Sequence, residues 1–153
     1  MNSQAMKLPD PPQPLGAYVT SVRHGELLFL SGMLPLESGA PAFIGRVGRE
    51  LTVEHGRQAA RLATLNGLAV AAAALGDLDK VARVVRVAVH VACEPDFADL
   101  ARVADGSSQT LLSVLGQPRG EHARLAFGAV ALPMRVPVEL DLVLAVEAPA
   151  SDP

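Results

Sequence analysis

Apolar positions recur along this chain with two periods, and the change between them marks out its elements. Ala59, Leu62, Leu65, Leu68, Ala69, Ala72 and Leu75 return every three or four residues, the repeat of one helical face. Thr52 offers a capping oxygen, Glu54 an acidic first turn and Gly76 a stop, so the spacing predicts a long helix between them. From position 85 the period drops to two: Val85, Val87, Val89 and Val91 alternate with Arg86, Ala88 and His90, which predicts a strand over 81–92 with one wet face. YVTSVR (18–23) and ELLFLSG (26–32) read as two short strands joined at His24-Gly25 in a tight hairpin. AFIGRV (42–47) has the composition of a third. Asp96 is placed to cap a second helix through Leu115, with Gly106 and the serines after it as a break or kink. Arg124–Leu132 and Val138–Val146 are the last two strands, linked by PMRVP.

Strands, helix, strand, helix and two strands, in that order, predict an α+β domain: a mainly antiparallel mixed sheet of about six strands with two helices on one face. PDPPQP (9–14) predicts an extended, solvated lead-in, so the expected organisation is a lead-in over 1–14, one domain over 15–148 and a short tail over 149–153.

Composition narrows the function classes. The net charge is −3, with 13 basic against 16 acidic residues, and aromatics make up 3% of the chain. Neither a phosphate-binding basic stripe nor a set of base-stacking rings is present, which argues against nucleic acid as a partner. The longest apolar run, LAVAAAAL (68–75), is far short of the ~20 residues of a bilayer span, so no membrane association is expected. One cysteine, Cys93, and no leader pattern predict a cytoplasmic protein. His24, His55, His90 and His122 lack metal-ligand spacing, no serine sits in G-x-S-x-G, and no Gly-Lys phosphate loop occurs. No cofactor is expected.

Two residues carry candidate chemistry. Arg124 opens an apolar run with no acidic neighbour, beside Ala126, Gly128 and Val130 on the same predicted face, while Leu125 and Phe127 are expected in the core. A guanidinium there either grips a substrate carboxylate or reaches water or an acid distant in sequence, and spacing alone leaves both open. Glu139 either moves a proton or is an exposed strand residue beside Asp141. If PMRVP closes a hairpin, Arg124 and Glu139 stand roughly 23 Å apart in one subunit, too far to share a small substrate. A common site would then have to form between subunits.

The stretches LGAYVTSVRHGELLFLSGMLPL, GDLDKVARVVRVAVHV, DFADL and HARLAFGAVALPMRVPVELD resemble the YjgF/Rid family over about residues 15–146. The resemblance implies a chorismate-mutase-like fold, a homotrimer, and hydrolysis of reactive imines and enamines of 2-amino acids to 2-keto acids and ammonia in clefts between subunits. It assigns Arg124 to the substrate carboxylate, Glu139 to the attacking water, and Tyr18, Ser31 and Gly32 to the cleft.

The sequence also departs from the family pattern. Val19-Thr20 stands for Ser-Gln, Met33 for Gln and Ala126 for Cys or Ser, and the second helix has Asp105 but no Asn. The cleft is therefore expected to be more apolar, suiting a larger substrate, of which an aminomuconate-type intermediate is one. A non-catalytic binder of small carboxylates is the alternative class. A ribonuclease is disfavoured by composition, and chorismate mutase rests on fold resemblance alone, since Arg57 and Arg61 read as a solvated helix face.

Overall fold

The computed structural model describes residues 6–149. Five strands form the main sheet in the order β1-β2-β7-β5-β6: β1 (Ser21–His24), β2 (Leu27–Leu30), β5 (Val81–Ala92), β6 (Ala123–Ala129) and β7 (Val138–Val146). Every pairing is antiparallel except β5 with β6. Helices α1 (Val53–Leu75) and α2 (Leu100–Leu115) cover one face, as the α+β reading expects. The helix-free face is open.

The core follows from the alternation in β7, where Val138, Leu140, Leu142, Leu144 and Val146 are buried and the residues between them are half-buried. Val84, Val87, Val89 and Val91 of β5 join them under α1 and α2. Val85 does not: register shifts near both Val81/Arg83 and Val84/Arg86 turn it outward, breaking the predicted phase at that one residue.

α1 is capped as predicted. Thr52 accepts from the His55 backbone, the His55 ring returns the bond in a capping box, and Gly76 ends the helix in a left-handed conformation. Asn66, buried on α1, donates to the carbonyls of Leu34 and Leu36 and fixes the loop that follows β2.

Four expectations about the elements and their pairing need correction. AFIGRV is not a strand: Gly45 and Gly48 take φ of 124° and 86°, which interrupts extended backbone, and only Val47 pairs, with Leu51 and Cys93. The small second sheet is formed instead by β3 (Leu36–Glu37) and β4 (Ala40–Pro41). The hairpin turn is Gly25–Glu26, one residue later than expected, with His24 opposite Leu27. α2 starts at Leu100 after Asp99, not after Asp96, and runs unbroken through Gly106.

Gly106 is a contact point. A Cβ there would lie 2.2 Å from the Arg57 carbonyl oxygen, so its bare backbone lets the two helices approach. Gly106→Ala is expected to destabilise the protein by about 3 kcal/mol, lowering Tm by roughly 6–12 °C in calorimetry.

The fourth correction concerns β6 and β7, which are not hairpin partners. β5 inserts between them, pairing its Val87 with both Arg124 and Leu142, and its His90 with both Phe127 and Glu139. The predicted lead-in has no regular element, yet it is not simply solvated: Leu8 packs on the core and Pro12 and Gln13 form cavity walls. Positions 1–5 of the lead-in and 150–153 of the tail lie outside the described residues.

Candidate functional site

A cleft of about 520 Å³ opens at one end of the sheet, lined by Tyr18, Thr20, Ser31, Gly32, Met33 and Glu139 together with apolar residues that include Leu15, Leu34 and Pro133. Its geometry begins with a bridge between Met33 and Leu140, whose backbones exchange hydrogen bonds of 2.6 and 3.0 Å. That bridge sets Gly32 directly against Glu139. A Cβ on Gly32 would fall 2.1 Å from Glu139 Oε1, so any side chain there would displace the carboxyl group.

Ser31 Oγ donates to the Val19 carbonyl at 2.6 Å, and its backbone N–H donates to Thr20. Tyr18 Oη accepts from the Leu15 N–H at 3.2 Å. Both hydroxyls therefore brace the loop over 15–20 that walls the cleft.

Glu139 is half-buried on the open face. Burial pushes its carboxyl above the ordinary value, and Asp141 adds to the rise, whereas the charge of His90 opposes it. A carboxyl raised on folding contributes its stability below the ordinary carboxylate range and loses it as pH climbs through the raised value. Glu139→Gln is therefore expected to melt higher than the parent near pH 8, with the difference vanishing near pH 4, in paired melting curves.

Among the described residues no lysine or arginine lines this cleft. Arg124 stands elsewhere, two strands and three residues from Glu139, which places their backbones ~14 Å apart rather than 23 Å. An odd offset across a regular register also puts them on opposite faces. The conclusion that one subunit does not join them survives the change in distance.

The faces of β6 are the reverse of those expected. Leu125 and Phe127 are 47% and 44% exposed on the open face, and Arg124 and Ala126 turn toward the helices, Ala126 against the core. An exposed edge strand alternates equally well in either sense, and α2 decides which side is covered.

Arg124 also has the acidic partner that its neighbours in sequence lack. Its Nη1 donates to Asp105 Oδ1 at 2.8 Å and to Ser108 Oγ at 3.1 Å, both on α2. Among the described residues Nε and Nη2 have no partner, and the side chain is 26% exposed. One edge of the guanidinium is thus held while the Nε–Nη2 edge, the one suited to a bidentate carboxylate, is free.

Ser108 and His122 escaped the sequence reading. Asp105 and Ser108 lie three apart on a helix, and His122 and Arg124 two apart on an extended segment; each spacing puts its pair on one side, and together these were the available signal.

Two helices on a mixed, mostly antiparallel sheet, with a cleft at a sheet end, define a small α+β domain of the chorismate-mutase-like type. The chain belongs to the YjgF/chorismate mutase-like family, whose description carries an endoribonuclease label and whose model matches residues 1–145. It is 41% identical to protein TCP17 of Trypanosoma cruzi over 139 residues, covering 91% of this chain and 87% of that one. It is 31% identical to a RutC family protein of Sinorhizobium fredii over 135 residues, covering 88% and 91%. A solved structure from Agrobacterium tumefaciens, of a protein with unknown function, superposes with a TM-score of 0.82 at 42% identity, covering 84% of this chain and 82% of that chain.

Proposed function

We propose that this protein is a Rid-type imine and enamine deaminase, working as a homotrimer at clefts that combine Glu139, Tyr18, Ser31, Gly32 and Met33 of one subunit with Arg124 of the next. The observation that carries the reading is the division of labour within one chain: a carboxyl-bearing cleft without a cation, and an arginine with a free bidentate edge on the opposite face. Each half lacks what the other supplies.

Assembly has a natural surface. The open face presents Val22, Phe29, Leu125 and Phe127, each more than 40% exposed, and the Phe127 ring stands edge-on to His90 at 4.4 Å. Apolar exposure of this kind on a sheet face favours packing against other copies.

In the reaction, the substrate carboxylate binds the Nε–Nη2 edge of Arg124, and Ala126 keeps the ground beside it small. Glu139 orients water toward the electrophilic imine carbon. Water adds across C=N, a proton passes through the Glu139 carboxyl to nitrogen, and the carbinolamine collapses to a keto acid and ammonia. Burial biases Glu139 toward holding that proton.

Leu15, Met33, Leu34, Leu36, Pro12 and Pro133 make the cleft wall largely apolar, which favours imines with bulky side chains over those of three- or four-carbon amino acids. An aminomuconate-type substrate is one member of that larger class. RNA suits the cleft poorly, since among the described residues Tyr18 is its one aromatic lining residue and no lysine or arginine lines it.

The test generates imines from leucine, phenylalanine and alanine with an amino-acid oxidase and follows keto-acid release. Acceleration greatest for the bulky imines, and abolished by Arg124→Ala, is expected. Rates equal to spontaneous hydrolysis for all three overturn the reading in favour of a carboxylate binder.

A further inference from the structure

At the seam of α2 and β6 four polar side chains form one connected chain. Asp105 accepts from Arg124, Arg124 donates to Ser108 Oγ, Ser108 Oγ meets His122 Nε2 at 2.8 Å, and His122 Nδ1 meets the Gly120 carbonyl at 2.6 Å. A carbonyl can only accept, so Nδ1 carries the ring proton. In neutral imidazole Nε2 is then the acceptor, and the Ser108 hydroxyl donates to it.

Mid-helix hydroxyls usually bond to the carbonyl one turn back, as Thr64 does to Ala60 at 2.8 Å and Thr110 to Gly106 at 2.7 Å. Ser108, on the same helix as Thr110, makes no such bond and points its hydroxyl at the histidine. The third member is held firmly as well: Gly120 donates to the Gly116 carbonyl at 2.7 Å, and a Cβ on it would lie 2.6 Å from the Leu111 carbonyl oxygen.

We infer that Ser108 and His122 form a nucleophile–base pair beside the arginine clamp, a second reactive site, which attacks esters of acids that also carry a carboxylate. The arrangement has the parts such chemistry needs: a hydroxyl hydrogen-bonded to a base, a base whose tautomer is fixed by a third group, and a cation within reach of the developing charge. Ser108 is half-buried and Arg124 and Asp105 are partly exposed, so the seam is open to a small molecule.

The substrate's free carboxylate takes the Nε–Nη2 edge of Arg124. Ser108 Oγ bonds to the ester carbon while its proton passes to His122 Nε2, and the bond to the leaving alcohol breaks as that alcohol's oxygen takes the proton. Water then adds to the acyl-serine through the same base, releasing the acid and restoring the hydroxyl. The site needs only residues of one chain; it shares the Arg124 edge with the proposed imine site, so carboxylates bound at the two compete, but its nucleophile and base, Ser108 and His122, take no part in imine hydrolysis.

The experiment treats the intact protein with a fluorophosphonate, and separately with the mono-4-nitrophenyl ester of succinic acid, and maps adducts by peptide mass spectrometry. Expected is a stoichiometric adduct on Ser108, absent in Ser108→Ala, slowed about 100-fold in His122→Ala, and a burst of nitrophenol from the charged ester, above its spontaneous release, that is missing in Ser108→Ala. Because the adduct is read on the unaltered protein, a variant that fails to fold leaves the test intact. No adduct on Ser108, or labelling that is unchanged in folded His122→Ala, overturns the inference, and the keto-acid assay above reports separately on the deaminase reading.

Discussion

Mixing two dead proteins is expected to restore activity. In the proposed deaminase, Arg124→Ala removes the carboxylate clamp and Glu139→Gln the proton-handling group, and each alone should lower kcat/KM for imine hydrolysis by about 100-fold or more. If a cleft draws Arg124 from one subunit and Glu139 from its neighbour, randomly reassembled trimers have both native residues at about a quarter of their clefts. Equimolar variants, unfolded together and refolded, should therefore regain about a quarter of parental activity. The ~14 Å separation and the opposite faces of the two residues make this outcome specific, since a site within one subunit would regain none. A mixture no more active than its components sinks the intersubunit site while leaving the fold untouched.

The second large effect should come from the open face. Phe127→Asp places a carboxylate beside Leu125 and the His90 ring on the open face, where assembly would strip its water. Sedimentation should show association weakened at least 100-fold, with monomers at micromolar concentration and imine hydrolysis lost in proportion. The helix-facing core does not include Phe127, so circular dichroism should be unchanged. Retention of trimers would mean that another surface holds the subunits.

How much of this was legible depended on whether a signal was local. α1 and β7 were read to the residue at nearly every boundary, because a capped 3.6-residue repeat and an unbroken two-residue alternation each report on their own segment. The β6–β7 pairing is not legible locally, because adjacency in sequence suggests a hairpin, whereas β5 enters between them from forty residues upstream. The inverted faces of β6 follow from the same cause. Alternation says that Arg124 and Phe127 point to opposite sides, and only the placement of α2 says which side is buried.

The candidate site divides in the same way. Motif resemblance points to Ser31, Gly32 and Glu139, and the close contact between Gly32 and the Glu139 carboxyl exists only because β7 lies beside the segment after β2. Asp105 was visible as a poor replacement for an asparagine and not as a partner of Arg124. His122 looked idle because its hydroxyl partner is fourteen positions away on a different element.

The position of β7 bears on how the molecule is made. It is the last strand in sequence and the middle strand of the sheet, flanked by β2 on one side and β5 on the other. Without residues 138–146 the sheet divides into two separate pairs, β1 with β2 and β5 with β6, each with an unsatisfied edge where β7 would lie. Glu139 arrives on that same strand. Closure of the sheet and completion of the carboxyl-bearing cleft therefore depend on the same last strand, and a chain that stops before Val138 lacks both.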